Sequence, residues 1–130
     1  MNFEIAKEKK VLVTGGTGFI AGWIIKQLVE AGVSVHATVR DPNDKDKVGH
    51  LLKLSKKGPG EVIIFKANLL EPRSFDNAMS GCNIVFHTAS PFLFKFKDPV
   101  KDFIEPALKG TQNIIQAAKS TASIERVVLT

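Results

Sequence analysis

The residues best suited to chemistry are the nine from Thr14 to Gly22, Thr-Gly-Gly-Thr-Gly-Phe-Ile-Ala-Gly, which follow a short β-branched run. Glycines at this spacing leave room for a ligand's diphosphate against bare main chain. Gly15 permits a tight turn, Gly18 lets the backbone come close, and Ala21 takes the small-residue position where helix packs on strand. If a helix starts here, its first amides and positive dipole end add to the attraction. Gly15, Thr17, Gly18, Phe19 and Ile20 are therefore candidate contacts to a diphosphate. The alternative is a merely glycine-rich turn, and the flanking strand and helix patterns argue against it. Further on, Arg40 stands close to where a carboxylate would meet a ribose 2′-hydroxyl, and an arginine there favours a phosphate. Asp41 beside it is the rival reading, since its carboxylate could accept from that hydroxyl.

Other chemistries find little support. The three histidines, His36, His50 and His87, are isolated in sequence, and no His or carboxylate pair has a known metal-site spacing, so no metal is expected. His87 falls on an apolar strand and reads as a packed histidine. The single cysteine, Cys82, reads as a small buried hydrophobe. Nothing marks Ser90 as an activated nucleophile. The chain has no tyrosine. A formal charge of +5 raises the question of nucleic acid, but the lysines fall in separate groups with acidic residues between them, which describes solvated helix faces. No apolar run approaches the roughly 20 residues of a membrane span. The N-terminal segment is polar, so no nucleic-acid or membrane partner is expected and a cytoplasmic setting is.

The surrounding pattern supplies the elements that must position these residues. Lys10 to Thr14 reads as a buried parallel strand, and the helical recurrence of Phe19, Ile20, Ile24, Leu28, Ile25 and Val29 follows it as far as Ala31-Gly32. Val33 to Val39 is a second strand, Asp44 to Ser55 a polar helix, and Val62 to Phe65 a third strand after Gly58-Pro59-Gly60. A short helix is predicted over Ser74 to Met79 and a fourth strand over Asn83 to His87. Asp98 can cap the last helix, with Pro99 at its first position and Pro106 kinking it. Val100, Phe103, Ile104, Ala107, Leu108, Thr111, Ile114, Ile115 and Ala118 form its apolar stripe. Arg126 to Thr130 opens a fifth strand.

Strands alternating with helices require a parallel sheet joined by right-handed crossovers. The expected fold is α/β, a Rossmann-type doubly wound sheet of order 3-2-1-4-5 that stops at the fifth strand. In that order the loops after the first and fourth strands face one crevice, where a ligand should sit. Residues 1–9 read as an N-terminal extension and 10–130 as one incomplete binding domain. The fifth strand, left as an edge, would invite association into oligomers.

The segment Val11 to Ile20 resembles the opening of extended short-chain dehydrogenases/reductases. Thr38 to Pro42, Lys47-Val48, Leu51-Leu52 and His87-Thr88-Ala89-Ser90-Pro91 are similar to the dihydroflavonol reductase and cinnamoyl-CoA reductase branch of the epimerase/dehydratase superfamily. The similarity runs from about Lys10 to the end, well under half of a full-length member. It implies an oxidoreductase that uses NADP and reduces a small-molecule ketone or aldehyde. It also implies that Lys47 joins Arg40 on the 2′-phosphate, although a solvated helix-face lysine is the plainer reading. Asn68-Leu69 stands where the family has Asp-Leu at the adenine, and the amide oxygen can still accept a hydrogen bond without bringing charge. Thr88, Ala89 and Ser90 match the segment beside the nicotinamide ribose; for Ser90 a turn role before Pro91 stays open. The family's active serine and Tyr-x-x-x-Lys lie beyond the fifth strand. No catalytic residue is therefore expected among these 130 residues, and the chain alone is expected to be inactive.

Overall fold

The computed structural model describes residues 8–89, 98 and 100–130, without the side chains of 102 and 103. Elements follow in the order β1 (Lys10–Thr14), α1 (Phe19–Glu30), β2 (Ser34–Val39), α2 (Lys45–Leu54), β3 (Glu61–Lys66), α3 (Asp76–Met79), β4 (Ile84–His87), α4 (Glu105–Lys119) and β5 (Arg126–Leu129). All four strand pairs are parallel, and the sheet order is β3-β2-β1-β4-β5, as the alternation of elements requires.

Two apolar layers flank the sheet because successive strand side chains point to opposite faces. On one side Val11, Val13, Val35 and Ala37 pack against Ala21, Ile25, Leu28 and Val29 of α1 and Leu51 and Leu54 of α2. On the other, Leu12 and Val85 pack against Ala78 and Met79 of α3 and Ile114 and Ala117 of α4. Leu12, Ile25, Leu51, Met79 and Ile114 are among the largest fully buried side chains, each contributing about 1.5–3 kcal/mol on burial.

Cys82 lies in the second layer, with its sulfur 3.3 Å from His36 Nδ1 and 3.4 Å from the Ala78 carbonyl. His36 Nδ1 is 2.7 Å from that same carbonyl, and its ring lies 4.7 Å from the ring of Phe65. Burial pushes the Cys82 thiol up to about 11, against a smaller pull downward from Lys10. A thiol must ionise to attack. We therefore expect Cys82 to resist thiol-directed reagents in native protein at mildly alkaline pH and to react once denaturant is added. Rapid labelling of native protein would contradict this.

Three helices differ from expectation. The stripe on α1 turns so that Ala21, Ile25, Leu28 and Val29 are buried while Phe19, Ile20 and Trp23 face outward. Helix α3 is shorter than Ser74–Met79 and begins at Asp76, since Ser74 sits in the preceding turn and accepts the Asn68 N–H at 2.7 Å. Asp98 caps as expected, accepting from the Val100 N–H at 3.0 Å, but Val100–Ile104 winds as a π-helical turn and α4 starts only at Glu105. Pro106, in the first turn of α4, has no N–H for an ordinary α bond, so the wider winding falls just before it. Pro99 and the Phe103 side chain lie outside the described residues. Only Gly110, Ile114 and Ala117 of α4 are buried; Val100, Ile104, Leu108 and Ile115 are exposed, because the stripe is wider than the surface beneath it. β5 forms one edge of the sheet.

Candidate functional site

β1 and β4 are neighbours, so the turns at their C-terminal ends meet. Gly15 has φ +65, a left-handed conformation that glycine adopts freely, and a Cβ there would lie 2.8 Å from Ala89 Cα. The turn closes with Gly16 N–H donating to Thr38 O at 2.8 Å and Gly18 N–H to Gly15 O at 2.9 Å. Gly22 N–H bonds to Gly18 O across the start of α1. The amides of Phe19, Ile20 and Ala21 are thus the first-turn donors that a helix leaves without intrahelical partners. A Cβ on Gly18 would meet only Gly15 O, at 3.3 Å. Ala21, 1% exposed, packs against the sheet as its position in the motif requires.

These turns open onto a cavity of about 780 Å³. Gly15, Thr17 and Gly18 form one wall. Arg40, Asp41, Asp44 and Lys47 form the end beyond β2, and Asn68 and Leu69 line the side after β3. Thr88 and Ala89 close it beside β4. The structure thus brings together Gly15, Thr17, Gly18, Arg40, Lys47, Asn68, Leu69, Thr88 and Ala89 from the sequence reading. Phe19 and Ile20 do not line the cavity, and their side chains are 83% and 57% exposed, leaving only their main-chain amides on the helix start. Ser90 lies outside the described residues.

The charged end of the cavity holds two cations and two carboxylates. Both carboxylates are engaged locally: Asp41 Oδ1 accepts from Asn43 N–H at 2.9 Å, and Asp44 caps α2 by accepting from Lys47 N–H at 3.4 Å. Among the described residues, neither the Arg40 guanidinium nor the Lys47 ammonium joins an ion pair. An anion there would meet two cations with no partner to give up.

The segment after β3 is held from behind. Leu69 packs on Gly110 of α4, where a Cβ would lie 3.0 Å from Leu69 Cδ2. Asn113 Nδ2 donates to Leu69 O at 2.6 Å. The side-chain oxygen of Asn68 already accepts the Leu70 N–H at 3.0 Å, leaving it one further lone-pair direction. Sequence reasoning missed Ser74 and Thr14 as supports. A hydroxyl at the end of a buried strand was the available signal for Thr14.

The five-stranded order and the crevice at its switch point define a doubly wound nucleotide-site fold of the Rossmann kind. Residues 12–130 match the 3-beta hydroxysteroid dehydrogenase/isomerase family, and the chain belongs to it. It is 52% identical over 121 residues to a cinnamoyl-CoA reductase of Medicago truncatula, covering 92% of this chain and 36% of that protein. It is 44% identical over 124 residues to dihydroflavonol 4-reductase of Solanum lycopersicum, covering 95% and 32%. The crystal structure of Gre2 from Candida albicans in complex with NADPH superposes with a TM-score of 0.77 at 34% identity, covering 93% of this chain and 36% of that one. The chain thus spans about a third of the length of these relatives. Among the described residues no helix is long and apolar enough to cross a membrane.

Proposed function

We propose that residues 10–130 are the dinucleotide-binding unit of an NADPH-dependent carbonyl reductase, with residues 1–9 an extension ahead of it. One observation carries the reading: segments after β1, β2, β3 and β4, remote in sequence, line a single cavity. The residues fit the cofactor. Gly15, Thr17 and Gly18, with the main-chain amides of Phe19 and Ile20, would hold the diphosphate. Arg40 and Lys47 would take the 2′-phosphate, Asn68 and Leu69 the adenine, and Thr88, Ala89 and Ser90 the nicotinamide ribose. The Candida albicans relative crystallised with NADPH supports this choice.

Bound NADPH would supply a hydride to a carbonyl carbon, whose oxygen gains a proton. What this chain does is bind and orient. With no tyrosine among the 130 residues, we assign no proton donor and no catalytic residue here. A dinucleotide-binding module without catalysis is the second reading of the same residues. Calorimetric titration tests the core of both: NADPH should bind at least about tenfold more tightly than NADH, the order expected for one charge-assisted pair. Equal affinities would overturn the cofactor assignment. Consumption of NADPH by the purified chain with an aromatic aldehyde or a flavonoid ketone would overturn the assignment of no catalytic residue.

A further inference from the structure

His87 does not line the cavity, yet the two residues that follow it do. The link between them is the Thr14 hydroxyl, fully buried at the end of β1 and paired in register with His87. Thr14 Oγ1 lies 2.8 Å from His87 Nδ1, and it accepts N–H bonds from Thr88 and Ala89, both at 3.1 Å. A hydroxyl has one proton and two lone pairs. The two amides can only donate, so they occupy both lone pairs and the proton goes to His87 Nδ1. The ring must then be the neutral tautomer with its own proton on Nε2. An imidazolium, or the other tautomer, would aim an N–H at an oxygen whose acceptor sites are full, a costly arrangement in a buried place. Burial pulls the His87 pKa below its ordinary value, which favours the neutral ring. Thr88 Oγ1 adds a bond to Thr14 O. The segment so held passes directly against Gly15 of the phosphate turn.

We propose that His87 is a positioning residue for the dinucleotide site: its bare Nδ1 takes the Thr14 proton, which turns the Thr14 lone pairs onto the Thr88 and Ala89 amides. The cavity wall at β4 is thereby set before any ligand arrives. The inference rests on the dinucleotide reading of the cavity. Long-range proton–nitrogen NMR on the labelled protein at neutral pH should find His87 neutral with the proton on Nε2; a proton on Nδ1 would overturn the proposal whatever the protein binds.

Three variants then separate positioning from packing. In His87→Asn the amide oxygen falls at the place of Nδ1, so NADPH should bind within about twofold of wild type. In His87→Gln the amide lies one bond farther out, and in His87→Leu no acceptor remains; both should bind about tenfold more weakly, the scale of one buried hydrogen bond. A purely structural histidine would lower melting temperatures and leave the affinities of folded protein equal. Should the leucine variant not fold, the Asn and Gln pair still decides. Wild-type protein that fails to bind NADPH would overturn the dinucleotide reading and this inference with it. Wild-type binding with equal affinity in all variants would overturn the role of His87 alone.

Discussion

Replacing Gly15 with alanine is expected to destabilise the fold by about 2–5 kcal/mol, the sum of about 1–2 for an L-residue in the left-handed region and about 1–3 for overpacking. Both terms have a visible cause: φ is +65, and the new methyl would lie 2.8 Å from the backbone of Ala89. Against a total stability of about 5–15 kcal/mol this is severe, and equilibrium urea melts would show it directly. Gly18→Ala is the informative contrast. Its φ of −76 and ψ of 163 suit any residue, and the methyl would meet only Gly15 O, at 3.3 Å. That variant should melt within about 1 kcal/mol of wild type. Its NADPH binding should nevertheless fall sharply, because the methyl fills the wall on which the diphosphate would lie. Equal stability for wild type and the Gly15 variant would refute the strained-turn argument. Undiminished binding in the Gly18 variant would place the diphosphate elsewhere.

The second large effect is expected at the charged end of the cavity. Arg40→Ala should weaken NADPH by about tenfold, and Arg40→Ala with Lys47→Ala by about 100-fold, each cation counting as one charge-assisted contact discounted for exposure. NADH lacks the 2′-phosphate, so its affinity should stay within about twofold. The loss should shrink at high ionic strength, where exposed charges are screened even in wild type. Asp41 and Asp44 stand in the same place and offset part of the attraction, but backbone N–H groups hold both. If the double variant keeps its preference for NADPH over NADH, neither cation meets the phosphate and Asp41 regains its claim as a ribose partner.

Much of this architecture was legible along the chain because its causes are local. The run from Lys10 to Thr14, the glycine turn and the helical spacing after it announce strand, turn and helix within about twenty residues. Repetition of that unit, with right-handed crossovers, leads to the order β3-β2-β1-β4-β5 that the structure shows. The helix faces were less legible. Phe19, Ile20 and Leu108 share helical spacing with buried neighbours but lie exposed, since periodicity marks an apolar stripe without saying how much of it a neighbour covers.

What the sequence alone determined is the set of parts: four βα units opening a fifth strand, a glycine turn between the first strand and its helix, and an arginine at the end of the second strand. Those follow from backbone preference and side-chain period, which act over a few residues. Only the tertiary structure decided how the parts support one another. Ser74 holds the Asn68 amide, Asn113 holds the Leu69 carbonyl, and Thr14 joins His87 to the cavity wall. The first of these pairs spans 6 residues, the others 44 and 73, and one hydroxyl or amide among many becomes a support only when packing leaves it a single set of buried partners.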